Sequence, residues 1–129
     1  MPVDTSDLEI RAWRLLQAAR MEFDGRFIGV HASCDRSRPL LNYDHCFVRD
    51  FAVCAPAFLL HGGHEIVAAF LSTTLDLQSR VQGLETLEPR RGLMPASFRP
   101  RMRDGERLLE VDYGEESIAR VTPVDSVFW

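Results

Sequence analysis

Residues 47–60, FVRDFAVCAPAFLL, constrain the possible folds more than any other part of this sequence. Past Asp50 the segment is apolar on nearly every face at helical spacing, and a helix of that kind needs partners all round. Its apolar run is far shorter than the ~20 residues that span a bilayer, so it belongs in a protein core. Pro56 lies inside it, lacks an N–H donor and should kink or break the helix. His61-Gly62-Gly63 follows as a C-cap and turn.

The neighbouring segments are candidates to cover it. Ser6 and Glu9 form a capping box, and Leu8, Ala12, Leu15, Leu16, Ala19 and Phe23 follow at roughly helical spacing. This predicts one amphipathic helix ending at Asp24-Gly25. Arg26 to Ala32 reads as a short strand or extended segment, and Ser33 to Pro39 as loop. A third helix is expected from His64 to about Val81, with Ile66, Val67, Phe70, Leu71, Leu75 and Leu77 inward. Periodicity is then lost. GLMPASF (92–98) reads as an irregular loop, Asp104-Gly105 between RPRM and RLLEV as a hairpin turn, and Glu115 to Val121 as a short helix. Two amphipathic helices cannot enclose the central one. Together with the apolar ending Val127-Phe128-Trp129, this predicts that residues 1–129 are an incomplete first part of a larger domain.

Composition narrows the function classes. The chain has 129 residues, 46% of them hydrophobic, and a net charge of −4. All 15 basic residues are Arg and are scattered, which argues against nucleic acid as a partner. The local group Arg90, Arg91, Arg99, Arg101 and Arg103 reads as a solvated loop surface. No signal peptide or spanning segment is expected, hence no membrane partner. Cys34, Cys46 and Cys54 are odd in number and lack CxxC spacing; buried, reduced thiols and a cytoplasmic address follow. His61 and His64 have a spacing that suits a metal on a helix, but the glycines between them break the helix, so no metal is assigned.

LNYDHCFVRDF (41–51), FLLHGGHEIVAAFLSTTLDLQS, GLMPASF and YGEESIARVTPVDS occur in this order from about Phe23 onward. With these motifs the chain closely resembles the N-terminal part of the alkaline/neutral invertases, glycoside hydrolase family 100. The resemblance implies an (α/α)6 barrel, of which this chain is the N-terminal part; with the reading of the residues above, the expected fold is mainly α with a long irregular loop or small hairpin after the third helix. It implies hydrolysis of sucrose to glucose and fructose without metal or organic cofactor, and a homo-oligomer for the complete enzyme. The chain departs from the family pattern at Ala119 and Thr122, where Gly and Ala are usual, and reads VDSVFW where the family continues VDSG.

Glycoside hydrolysis needs two carboxyl groups, and the resemblance puts both beyond Trp129, so no catalytic residue is assigned here. Arg49 and Asp50 match a sugar-binding Arg-Asp pair at the head of an inner helix. Such a pair reads adjacent hydroxyls, the carboxylate accepting and the guanidinium donating. The alternative is that Asp50 only favours the helix N-terminus. Tyr43 and Asp44 precede this helix and are candidates to stack on or hydrogen-bond the sugar, while Asn42 caps the turn. Asp125 either contacts sugar or only caps the next helix. Met94 and Phe98 are core or sugar platform. The partner expected is thus a small neutral sugar, sucrose; a non-catalytic invertase remnant or helical assembly protein is the alternative.

Overall fold

The computed structural model describes residues 5–33, 35, 43–78 and 94–113. Helix α1 (Thr5–Ala18) leads into strands β1 (Arg20–Phe23) and β2 (Arg26–Val30). Strand β3 (Cys46–Phe47) runs directly into α2 (Val48–Leu60), and α3 (His64–Asp76) follows. Strands β4 (Ser97–Arg103) and β5 (Glu106–Asp112) complete the described part. Antiparallel sheets β1-β2 and β3-β4-β5 accompany the helices. The coarse expectation of a helical protein with a late hairpin holds, but with more strand than foreseen.

One difference lies at the start. The first helix stops at Ala18, and the residues assigned to its last turn form β1 instead. Asp24 and Gly25 have φ of 50° and 77°, and Asp104 and Gly105 have φ of 52° and 82°. Positive φ at both central residues is the hairpin geometry that matches strand twist. Asp24-Gly25 is therefore a hairpin turn like Asp104-Gly105. Glu22 Oε1 accepts the Gly25 N–H at 2.8 Å and braces the first turn. The two hairpins are clasped by Arg107, which donates to the Glu22 carbonyl at 2.9 Å and lies over the Phe23 ring.

The core is a run of rings. His61 stacks on Trp13 at 4.0 Å between centroids, and Trp13 meets Phe58 edge-on at 5.3 Å. Phe58, Phe51, Phe70 and Phe98 continue at 5.9, 4.2 and 6.2 Å. Met21 and Ile28 of the first hairpin are fully buried beside them. Such offset and edge-on pairs add to the gain from apolar burial. Gly29 permits the close approach of β2 to β3: a Cβ there would lie 2.6 Å from Cys46 Sγ.

Helix α2 is assigned unbroken through Pro56. It buries Val48, Phe51 and Phe58, yet leaves Val53 71% and Leu60 86% exposed. All-round burial is thus not achieved by the described residues, because α1 and α3 cover only one side. The same holds on α3. Ile66, Ala69, Phe70, Thr73 and Thr74 face inward, while Leu71 and Leu75, expected inside, are exposed. Thr74 is buried because its hydroxyl donates to the Phe70 carbonyl at 2.7 Å. Among the described residues no helix is long and apolar enough to cross a membrane. Cys34, the expected helix 115–121, and the barrel itself lie outside what the described residues display.

Candidate functional site

Three backbone segments meet where α2 begins. The Tyr43 and His45 carbonyls accept from Ser33 and Ala32 N–H at 3.1 and 2.9 Å, tying the approach to α2 to the end of β2. Cys46 and Phe47 pair with Phe98 and Ser97 of β4. The Val48 N–H, one of the donors a helix start leaves unpaired, donates to the Ala96 carbonyl at 3.0 Å. Ala96 N–H in turn donates to the Asp112 carbonyl at 2.8 Å. GLMPASF is therefore only partly loop: its last residues are the strand that holds the head of α2. Phe98 is fully buried core, and Met94 is half-buried.

On this frame Tyr43, Asp44, Arg49 and Asp50 are all exposed. Asp50 lies in the first turn of α2, where a negative charge is favoured by the helix dipole. Tyr43 and Asp44 form the turn just before β3. Asp125 lies outside the described residues.

Asp44 is anchored through both its main chain and its side chain. The His31 Nδ1–H donates to its carbonyl at 2.7 Å, and Arg99 Nη1 donates to its Oδ2 at 2.7 Å. Arg99 Nε also donates to Glu110 Oε2 at 2.8 Å, and that same oxygen accepts from Arg101 Nη1 at 2.8 Å. Asp44, Arg99, Glu110 and Arg101 thus form a continuous chain of alternating charge. Burial works against the charge of Arg99, but the bonds to Glu110 and Asp44 outweigh it and raise its pKa. Bonds from Arg101 and Arg99 hold Glu110 below the usual carboxylate range.

Beneath this chain His45 Nδ1 and Ser97 Oγ share a buried hydrogen bond of 2.9 Å. Burial, with the charge of Arg99 second, pushes the His45 pKa below the ordinary imidazole value. Burial also pushes the Cys46 thiol up to about 12 and raises that of Cys54. Both are protonated and poorly nucleophilic at neutral pH. His61 stacks on Trp13 and its Nδ1–H donates to the Ala57 carbonyl at 2.8 Å, a structural role in the turn after α2. Among the described residues no His, Cys, Asp and Glu group could hold a metal ion.

Arg99, Arg101 and Arg103 belong to strand β4 rather than to a solvated loop, with Arg101 and Arg103 exposed, while Arg90 and Arg91 lie outside the described residues; Glu110, His31, His45 and Ser97 are not singled out by the sequence. A signal was present. The Asp104-Gly105 turn sets the register, which pairs Arg103 with Glu106, Arg101 with Leu108 and Arg99 with Glu110. Alternation then puts Ser97, Arg99 and Arg101 on the face opposite Phe98. A shallow depression of about 410 Å³ lies further out on this hairpin, lined by Arg101, Met102, Arg103, Leu108 and Glu110. Tyr43, Asp44, Arg49 and Asp50 do not line it.

The profile of a family described as alkaline and neutral invertase matches residues 12–129. A mitochondrial neutral/alkaline invertase 1 of Oryza sativa subsp. japonica is 44% identical over 130 residues, covering 94% of this chain and 21% of the relative. The chloroplastic alkaline/neutral invertase E of Arabidopsis thaliana is 42% identical, covering 98% of this chain and 22% of the relative. A cytosolic invertase 1 of Oryza sativa subsp. japonica is 43% identical, with coverage of 92% and 22%. The chain spans about a fifth of the length of these relatives. A match over this much of the sequence establishes that the chain belongs to the alkaline and neutral invertase family.

Proposed function

We propose that these 129 residues are the N-terminal part of a sucrose-hydrolysing enzyme of the (α/α)6 class and contribute part of its sugar-binding pocket. Family membership supports the reaction. The observation that carries the pocket is the anchored, exposed carboxylate of Asp44 beside the head of α2, with Tyr43, Arg49 and Asp50 exposed in the same stretch. A carboxylate held by a guanidinium still presents lone pairs to sugar hydroxyls. In this proposal Asp44 is a binding residue, and the two carboxyl groups that glycoside hydrolysis needs lie in the part of the family's length that these residues do not cover. Asp125 completes the sugar contacts in this proposal.

The open apolar faces at Val53 and Leu60 of α2 and at Leu71 and Leu75 of α3 favour cover by further helices, as a barrel would provide. The complete protein is proposed to act as a homo-oligomer on sucrose. The free, buried Cys46 suits a reducing compartment, and the cytoplasm is proposed, although relatives are named for mitochondria, chloroplasts and cytosol alike. Release of glucose and fructose from sucrose by the purified 129-residue chain tests the division of labour. No release above the uncatalysed rate is expected. Genuine turnover would show that the cleaving groups are already present.

A further inference from the structure

Beyond the binding role of Asp44, and resting on it, we propose that Arg99 is a positioning residue that fixes the Asp44 carboxylate for sugar recognition, with Glu110 as its brace. Asp44 lies in a turn with its side chain 54% exposed, and a carboxylate in that situation would sample several rotamers. Arg99 removes that freedom from a rigid support. It sits on β4 two residues beyond Ser97, which pairs with Phe47 immediately before α2. Its own side chain is only 22% exposed. The guanidinium is held at both ends, by Asp44 through Nη1 and by Glu110 through Nε.

Glu110 cannot swing toward Arg99 alone, because Arg101 donates to both of its oxygens, at 3.2 and 2.8 Å. The His31 bond to the Asp44 carbonyl fixes the main chain of the same residue. Backbone and side chain of Asp44 are thus set independently. The Arg99 bond engages Oδ2, which orients the other oxygen, Oδ1, in one direction. The four charges of Asp44, Arg99, Glu110 and Arg101 sum to zero, so the chain offers directional hydrogen bonding without a net charge of its own. That suits an uncharged polyol. Lysine could supply the charge at position 99 but not the planar fork that spans two carboxylates.

The test is titration of the isotope-labelled 129-residue chain with sucrose and with glucose, reading the Tyr43 and Asp44 amides by NMR. Thermal unfolding of each variant is measured in parallel. Asp44→Asn should weaken binding about tenfold, the scale of one hydrogen bond to a charged group. Arg99→Met should weaken it by a similar factor and Arg99→Lys by less, with amide shifts of the Phe51, Phe58 and Phe70 core unchanged. Glu110→Gln, outside the sugar contacts, should lose about threefold, a fraction of the same hydrogen-bond scale. If Arg99→Met disrupts the core shifts, Arg99→Lys and Glu110→Gln decide. Wild-type affinity in the Arg99 and Glu110 variants, with Asp44→Asn impaired, would overturn the positioning role and leave Asp44 a binding residue. No saturable shift at Tyr43 and Asp44 in the wild type would overturn both.

Discussion

Gly29 and His45 show how closely the head of α2 is specified. A methyl group at position 29 would lie 2.6 Å from Cys46 Sγ, and that sulfur belongs to a fully buried side chain with little room to move. Gly29→Ala should therefore cost about 1–3 kcal/mol, the range for overpacking a filled core. Urea denaturation would measure it, and Cys46→Ala in the same molecule should recover part of the loss. His45 adds a pH dependence. Its folded pKa is depressed from 6.5, so between those two values the unfolded chain binds the extra proton. The stabilising contribution is complete above pH 6.5 and is lost as pH falls through 6.5 toward the folded value. The slope it adds is at most about 1.4 kcal/mol per pH unit. Denaturation midpoints from pH 8 down to pH 5 should fall more steeply for the wild type than for His45→Gln. Parallel curves would remove His45 as the cause.

At the scale of elements, the end of α2 is the clearest case of sequence dictating form. Gly63 N–H donates to the Phe58 carbonyl at 2.7 Å and Gly62 N–H to Leu59 at 3.2 Å, while Gly62 takes φ +78°. This is a Schellman C-cap, in which glycine avoids the left-handed penalty. Gly62→Ala should lower stability by roughly 1 kcal/mol, and Gly62→Asn by less, read as shifts in thermal midpoint. This cap, the α2 span and the Asp104-Gly105 hairpin were legible because each depends on local chemistry.

The first hairpin was not, for a definable reason. Ala19 and Phe23 are four apart and satisfy helical spacing, so the sequence pattern does not separate the strand from Arg20 to Phe23 from the helix, and Asp24-Gly25 looks like a helix stop. The same dipeptide at 104–105 is flanked by strand-like runs and reads as a hairpin turn from the sequence itself. What separates the two is tertiary: Met21 and Ile28 are buried against the core, and Arg107 clasps the turns together. The inward assignment of Leu71 and Leu75 failed similarly, since hydrophobicity alone could not reveal that Thr73 and Thr74 take the inner face. Tyr43, Asp44, Arg49 and Asp50 stand in one stretch of sequence, and all four are at the surface. The Asp44 partner Arg99 is not legible there, because it is brought to Asp44 from 55 residues away by the pairing of β3 with β4.

At the scale of the whole molecule, the described residues form an aromatic core from the α1–α2 contact to β4 and leave apolar side chains of α2 and α3 exposed. Covering a Val or Leu side chain fully is worth roughly 1.5–3 kcal/mol, so Val53, Leu60, Leu71 and Leu75 together represent a substantial unused driving force for packing. Exposed charged side chains, in contrast, gather at the head of α2, where Asp44, Arg49 and Asp50 lie and Arg99 bonds Asp44. The proposal of a sugar-binding role for Asp44 therefore places the sugar at that end of α2. The most direct test maps sucrose-induced amide shifts over every assigned residue of the chain. Saturable shifts concentrated at 43–50 and at Arg99 are predicted; shifts confined to the outer hairpin depression at 101–108, or none at all, would contradict a sugar site at the head of α2.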